Sequence, residues 1–247
     1  MAVDHQPDAE YFACMAATAG GHWWYVARRN LVADALGGRL PVGTRALDVG
    51  TGTGEFCDTL TALGATSVLG TELNPDALAT ATAAHRPVVR ALAESLPVPD
   101  GSVDVLTSLD VVEHLDDDLA ALREYRRVCA PGARVVLTVP AYASLWSEHD
   151  ERAAHRRRYR RAQLCDVARA AGFSVERATY CFSFLVPPAW AVRRTPLGRV
   201  LPDTDEEASS TGGLLDRVLA GLAALERRWL RRRTLPFGLS ILVVARA

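Results

Sequence analysis

The chain has 247 residues, 49% of them apolar, which is enough to bury a full core as one domain of the larger kind. Its 28 basic residues, all arginine, face 29 acidic ones for a formal charge of -1, which leaves no overall electrostatic footprint for nucleic acid. Cys14, Cys57, Cys129, Cys165 and Cys181 lack zinc or disulfide spacing, the start "MAVDHQPDAEY" is unlike a signal peptide, and no run of eighteen apolar residues occurs, so a soluble cytoplasmic protein without a transmembrane segment is expected.

Residues 1–43 read as an N-terminal helical cap, in which "GHWWYVARRNLVADAL" sets two tryptophans, a tyrosine and two arginines before an amphipathic helix. From Thr44 onward, the β-rich runs "RALDV", "SVLGTEL", "PVVRAL", "SVDVLTSL" and "ARVVLTVP" alternate with helical patterns. That alternation predicts an α/β doubly wound fold, with a mostly parallel sheet covered by helices on both faces. Asn74-Pro75-Asp76 reads as a turn that starts a helix, and Pro131-Gly132 as the close of a helix before the fifth strand. "GFSVERATYCF" and "GLSILVVARA" add two strands, the last expected antiparallel at the sheet edge.

Roughly fifty residues separate those last two strands, far more than an ordinary α/β connection. The core is therefore placed at 44–180, an inserted helical segment at 185–235 and the last strand within 236–247. The insertion opens with the apolar "FLVPPAWAV", passes through the loop-like "PDTDEEASSTGG", and ends in a helix from about Leu214 to Arg233. Leu215, Leu219, Leu222, Leu225 and Trp229 form one stripe of that helix, opposite many of its arginines.

The sharpest signal is "ALDVGTGTGEF", where a strand runs into Gly50, Gly52 and Gly54 and then a helix. Glycines let the backbone turn and approach a ligand without Cβ clashes, and the helix N-terminus favours an anionic group. Asp48 precedes this loop, and Glu72 ends the next strand, where a carboxylate can accept hydrogen bonds from both hydroxyls of a ribose. The loop "DVGTGTG", the acidic "TELN", the segment "AESLPVPDGSVDVL" and the turn "LDVVEHL" resemble, in that order, the class I S-adenosylmethionine (SAM) dependent methyltransferases. The resemblance covers about residues 44 to 180 and implies a Rossmann-like sheet of seven strands with SAM as cofactor.

It also implies roles: Asp48, Gly50, Thr51, Gly52 and Gly54 at the methionyl part, Glu72 and Leu73 at the ribose, and Ala93 and Glu94 at the adenine edge. Leu109, Asp110 and His114 would lie near the sulfonium. Trp24 with Arg28 or Arg29 matches an aromatic and arginine segment that closes over SAM in quinone-type methyltransferases, or else the tryptophans staple the first helix to the sheet. "DVVEH" also matches a D-x-x-E-H arrangement that some relatives use for a divalent metal, with Asp110, Glu113 and His114 as ligands; His114 is read here as a cofactor-side residue and no metal is assigned.

Beyond the fifth strand lies "HDERAAHRRRYRR", residues 149–161, at the carboxyl edge of the sheet, where ligands of open α/β sheets bind. "LWSEHDERAAHRRRY" is similar to a subgroup of bacterial small-molecule methyltransferases. The i to i+4 spacing of His155 and Tyr159 would place both on one helical face, so His155 and His149 are candidate bases, Asp150 the orienting acid and Tyr159 a phenolic hydrogen-bonder. A structural segment of paired arginines is the competing reading. The expected activity is methyl transfer to a small-molecule acceptor, oxygen leading. Its alternatives are a lipid-linked acceptor reached by peripheral membrane contact, and a non-catalytic SAM-binding or interaction module.

Overall fold

The computed structural model of the chain describes residues 18, 20–194 and 213–247. Helix α1 (Trp23–Ala35) leads into β1 (Arg45–Val49), α2 (Glu55–Ala62), β2 (Ser67–Glu72), α3 (Pro75–Ala83) and β3 (Val88–Arg90). Then follow β4 (Val103–Leu109), α4 (Asp118–Val128), β5 (Cys129–Pro140), α5 (Glu148–Arg152), α6 (Arg161–Ala170) and β6 (Ser174–Cys181). Helices α7 (Val186–Arg194) and α8 (Leu214–Leu230) precede β7 (Ser240–Arg246). The seven strands form one sheet in the order β3-β2-β1-β4-β5-β7-β6, with β7 antiparallel to both neighbours and the other adjacent pairs parallel.

Strand alternation divides the core between the two faces. Leu47, Leu106, Leu137 and Val243 face α4 and α6, where Leu122, Tyr125 and Leu164 are buried. Ala46, Val105, Val136 and Leu242 face the other side, where Val32 of α1, Leu60 of α2 and Leu230 of α8 are buried. Such strands read as near-continuous apolar runs because both faces are covered. The same logic corrects one expectation. β7 is antiparallel but is not an edge strand, and its "SILVVA" is buried throughout because it lies between β5 and β6.

Local chemistry sets the element ends. Asn74 caps α3 by accepting from the amides of Asp76 and Ala77, with Pro75 in the first turn. Helix α4 stops at Val128, so Pro131 and Gly132 do not close a helix; they lie in the first residues of β5, where the register against β4 shifts.

The "PDTDEEASSTG" part of the insertion's loop and Cys14 lie outside the described residues. Pro187 and Pro188 fit in the first turn of α7 rather than breaking it. Of the α8 stripe, Leu215, Leu222, Leu225 and Trp229 are exposed and Leu219 is packed against the core. Ala223 and Leu230 are buried instead. Glu226 accepts from the amides of Phe182 and Ser183, and Arg227 and Arg231 both grip Asp34 of α1 at 2.7 to 2.8 Å.

Candidate active site

The sheet order reverses between β1 and β4, and the crevice at the carboxyl ends of these strands is where open α/β sheets bind ligands. A cavity of about 570 Å³ lies there, bounded by the loops after β1, β2, β3, β4 and β5, by α1, and by α7 and α8. Three residues at the strand exits, Asp110, Tyr142 and Phe182, hold positive φ between 57° and 59° or, for Asp110, 56°, a conformation that persists only where surrounding contacts impose it.

At one end lies the glycine loop. Gly50 has φ 67°, and a Cβ there would come within 2.3 Å of Val111. Gly54, with φ 87°, is the N-cap of α2 and lies just outside the cavity lining. Glu72 is held at the end of β2 by three backbone amides: Gly52 at 2.8 Å, Leu73 at 2.7 Å and Asn74 at 2.8 Å. Its carboxylate is thereby fixed in place, with lone pairs left for further donors. Asp48 is buried beneath the loop and accepts from the Thr107 hydroxyl at 2.6 Å; burial pushes its pKa up to about 6 despite hydrogen bonds from Thr107 and Thr51.

The remaining residues of this end converge as expected. Thr51, Leu73, Ala93, Glu94 and Leu109 all line the cavity. Trp24 and Arg28 do so from α1. The Trp24 ring packs on Phe182 at 4.2 Å between centroids, while its buried indole N–H has no partner among the described residues. Arg28 forms an ion pair with Asp110, which also accepts from the Thr138 hydroxyl at 3.0 Å.

The other end is built around His155. Its Nδ1 is 2.7 Å from Asp150 Oδ1 and its Nε2 is 4.0 Å from Glu113 Oε1. Burial raises the Asp150 carboxyl, but hydrogen bonds from His155, Arg158 and Ser147, together with the Arg158 charge, hold it well below the usual carboxylate range. An ionised Asp150 only accepts, so Nδ1 carries a proton, and in the neutral ring this leaves Nε2 as the acceptor. His149 lines the same cavity, its ring centroid 5.8 Å from that of His155. His114 packs edge-on against His155 at 4.8 Å, and burial lowers its pKa to about 4, so it is neutral.

Two expectations for this end are corrected. Residues 155–159 are not helical: α5 ends at Arg152, Ala154 takes φ 55°, and the chain turns back so that the His155 amide donates to the Asp150 carbonyl. Tyr159 is consequently carried away from the cavity into a bridge beside Ala141, and its hydroxyl donates to Asp118 at 2.7 Å. The arginines are matched internally: Arg156 with Asp116, Arg157 with Asp118, and Arg158 with Asp150.

The D-x-x-E-H spacing also assembles differently. Asp110 is engaged by Arg28 and Thr138, and the group of possible ligand atoms is Glu113, His114 and His155, all within 4.8 Å of one another. Glu113 is fully buried, neither carboxyl oxygen has a hydrogen-bond partner among the described residues, and burial together with the Asp110 charge pushes its pKa well above the ordinary range. Sequence reasoning missed the apolar lining that α7, α8 and the β7 approach supply through Leu185, Pro188, Leu215, Leu219 and Leu239, since nothing local marks those residues as facing a ligand.

Residues 20–178 match a family model described as a methyltransferase domain. An uncharacterized methyltransferase of Mycobacterium ulcerans (strain Agy99) is 32% identical over 158 residues, covering 61% of this chain and 58% of that protein. This chain therefore spans little more than half the length of that curated relative. A SAM-dependent methyltransferase of Archaeoglobus fulgidus superposes with a TM-score of 0.63 at 19% identity, over 97% of this chain and 100% of that one. A chain from the complex between the Haloferax volcanii Trm112 methyltransferase activator and a methyltransferase gives 0.64 at 20% identity, over 96% and 95%. At such identities the two structures speak for the fold alone. The family match covers well over half of the chain and contains the glycine loop, Glu72 and the histidine cluster, and on that ground the chain belongs to the class I SAM-dependent methyltransferases.

Proposed function

We propose that the chain transfers the methyl group of SAM to an oxygen of a small-molecule acceptor with an apolar body, using His155 as general base. The observation that supports this reading best is the Asp150–His155 pair, which holds the imidazole in the cavity lining by Nδ1 and leaves Nε2 unengaged by Asp150.

The residues present fit the cofactor. The cradle at Gly50 admits a ligand against backbone, and Asp48 and Glu72 set carboxylates where a cationic ligand with a ribose is to be held. When bound, SAM supplies a methyl group on a cationic sulfur, ready for in-line displacement. Arg28 ties α1 to Asp110 across that end, and Trp24 closes the cavity to water. His155 Nε2 takes the proton that the acceptor hydroxyl sheds as its bond to carbon forms, and Asp150 stabilises the resulting imidazolium. Leu185, Pro188, Leu215, Leu219 and Leu239 give the acceptor's apolar part a surface to pack on. Supplying methyl-labelled SAM with a cell extract and identifying the labelled product tests this reading; label on nitrogen or carbon would move the acceptor atom, and no transfer at all would favour a SAM-binding module.

A second reading rests on Glu113, whose two oxygens accept no hydrogen bond among the described residues and stand beside two imidazoles. Glu113, His114 and His155 could hold a divalent cation, with Asp150 orienting His155 from behind. The acid-base reading expects turnover to survive exhaustive chelation. Loss of activity with EDTA and its return with magnesium, manganese or zinc would replace it by the cation reading.

A further inference from the structure

The outward side of α8 carries Leu214, Val218, Leu222, Leu225 and Trp229, spaced i, i+4, i+8, i+11 and i+15, so they fall on one stripe along four turns of helix. Each is between 40% and 78% exposed. Arg217, Arg228 and Arg232 run along one flank of that stripe, exposed and without an ion pair to the described residues. The two acids of the helix point elsewhere: Glu226 is bonded to Phe182 and Ser183, and Asp216 lines the cavity. The outward surface is thus apolar on one side, cationic on the other and, among the described residues of the helix, free of carboxylates.

We infer that α8 docks the protein flat on an anionic lipid surface, with the leucines and Trp229 entering the headgroup boundary and the arginines meeting lipid phosphates. The pattern is that of an interfacial helix: a wide apolar stripe, an aromatic residue and an arginine flank whose stems can snorkel. Charge complementarity singles out this occupant over a second copy of the chain, whose own α8 would bring three more unpaired arginines against the first three. Among the described residues no helix is long and apolar enough to cross a membrane, so the contact is peripheral. Leu215 and Leu219 extend from this helix into the cavity lining, so docking sets the cavity mouth at the lipid interface.

Vesicle binding is read without turnover, so it stands or falls separately from methyl transfer. The full chain is sedimented with vesicles of phosphatidylcholine alone and with vesicles containing phosphatidylglycerol. Binding should favour the anionic vesicles and weaken at about 0.5 M salt, where screening shortens to roughly 4 Å. Arg217→Gln, Arg228→Gln and Arg232→Gln should each lower partitioning about fivefold. Leu225→Glu combined with Trp229→Glu should abolish it while SAM affinity, measured by calorimetry, stays at the wild-type value. If that double variant fails to fold, quenching by bromine-labelled lipid decides: wild-type emission should be quenched more than that of Trp229→Phe. No sedimentation with either vesicle, equal binding to both, or a concentration-dependent dimer dispersed by the same substitutions would overturn the inference, the last assigning the stripe to a second copy.

Discussion

At the glycine-loop end of the cavity, one continuous stretch, Asp48 to Asn74, supplies the glycine loop and Glu72, fixed largely by backbone through positive-φ glycines and three amides on Glu72, and Ala93, Glu94, Leu109, Trp24 and Arg28 complete the lining around it. At the histidine end the ligand-facing groups come from segments far apart in the chain, Glu113 and His114 after β4, His149 to Arg158 after β5, and Leu219 on α8, held together by ion pairs and side-chain packing. The glycine loop with Glu72 is a local device that one βαβ unit can carry. The histidine end exists only once the whole domain has closed, and its lining changes with each loop, which suits the choice of acceptor.

Separating turnover from cofactor binding breaks or sharpens that comparison. His155→Ala and His149→Ala should leave SAM affinity close to wild type while lowering turnover, by about 10²- to 10⁴-fold for loss of the base at His155. Wild-type turnover and KM in both folded variants would reduce the histidines to loop supports; a raised KM with unchanged kcat would assign them to acceptor binding. The converse variant, Glu72→Ala, should weaken SAM binding by about 1.5 to 3 kcal/mol per charged hydrogen bond lost. Calorimetry on the folded variant checks it, and unchanged affinity would remove Glu72 from the site.

A smaller effect belongs to pH. Asp48 is raised to about 6 in the fold, so below that pH the free protein holds it neutral, whereas a cationic ligand favours its ionised form. SAM affinity should therefore rise as pH climbs through about 6 and level off above, and Asp48→Asn should flatten the profile around that value. The linked stability has the opposite sense: the favourable contribution of neutral Asp48 is complete below about pH 4, its unfolded value, and is lost as pH rises through about 6. Thr107, Thr51, Arg28 and Glu72 are the groups facing it, and a profile set elsewhere would survive the substitution unchanged. Least of all should happen with Tyr159→Phe, which removes the bond to Asp118: a loss of about 1 to 2 kcal/mol in denaturant unfolding and wild-type kinetics.

Legibility in the sequence followed the same division. The alternating runs gave the strands, and Gly50, Glu72 and Asn74 announced themselves because turn geometry and capping are properties of a few adjacent residues. Tyr159 was placed beside His155 on the premise that a helix continued, and a single left-handed residue, Ala154, ended it. The α8 stripe is legible from periodicity but its orientation is not: the inward face is set by Glu226, Arg227 and Arg231, whose partners lie on β6's exit and α1. Nothing near residue 226 in the chain foretells Ser183. The Asp150–His155 pairing was expected from an active-site arrangement, but Glu113 as the third member depends on how the loop after β4 meets the turn after α5.

The placement of β7 between β5 and β6 bears on how the protein is made. While the ribosome is still extending the chain through residue 230, β1 to β5 are available to assemble, but β6 has no partner, because both its ladder and the open side of β5 await residues 240–246. Two strands with unpaired backbone then coexist for as long as translation takes to deliver the third, and such edges invite pairing with other nascent chains. A stop or a frameshift between Cys181 and Ser240 would leave the glycine loop intact and the sheet split, giving a polypeptide that keeps its SAM-binding sequence and aggregates.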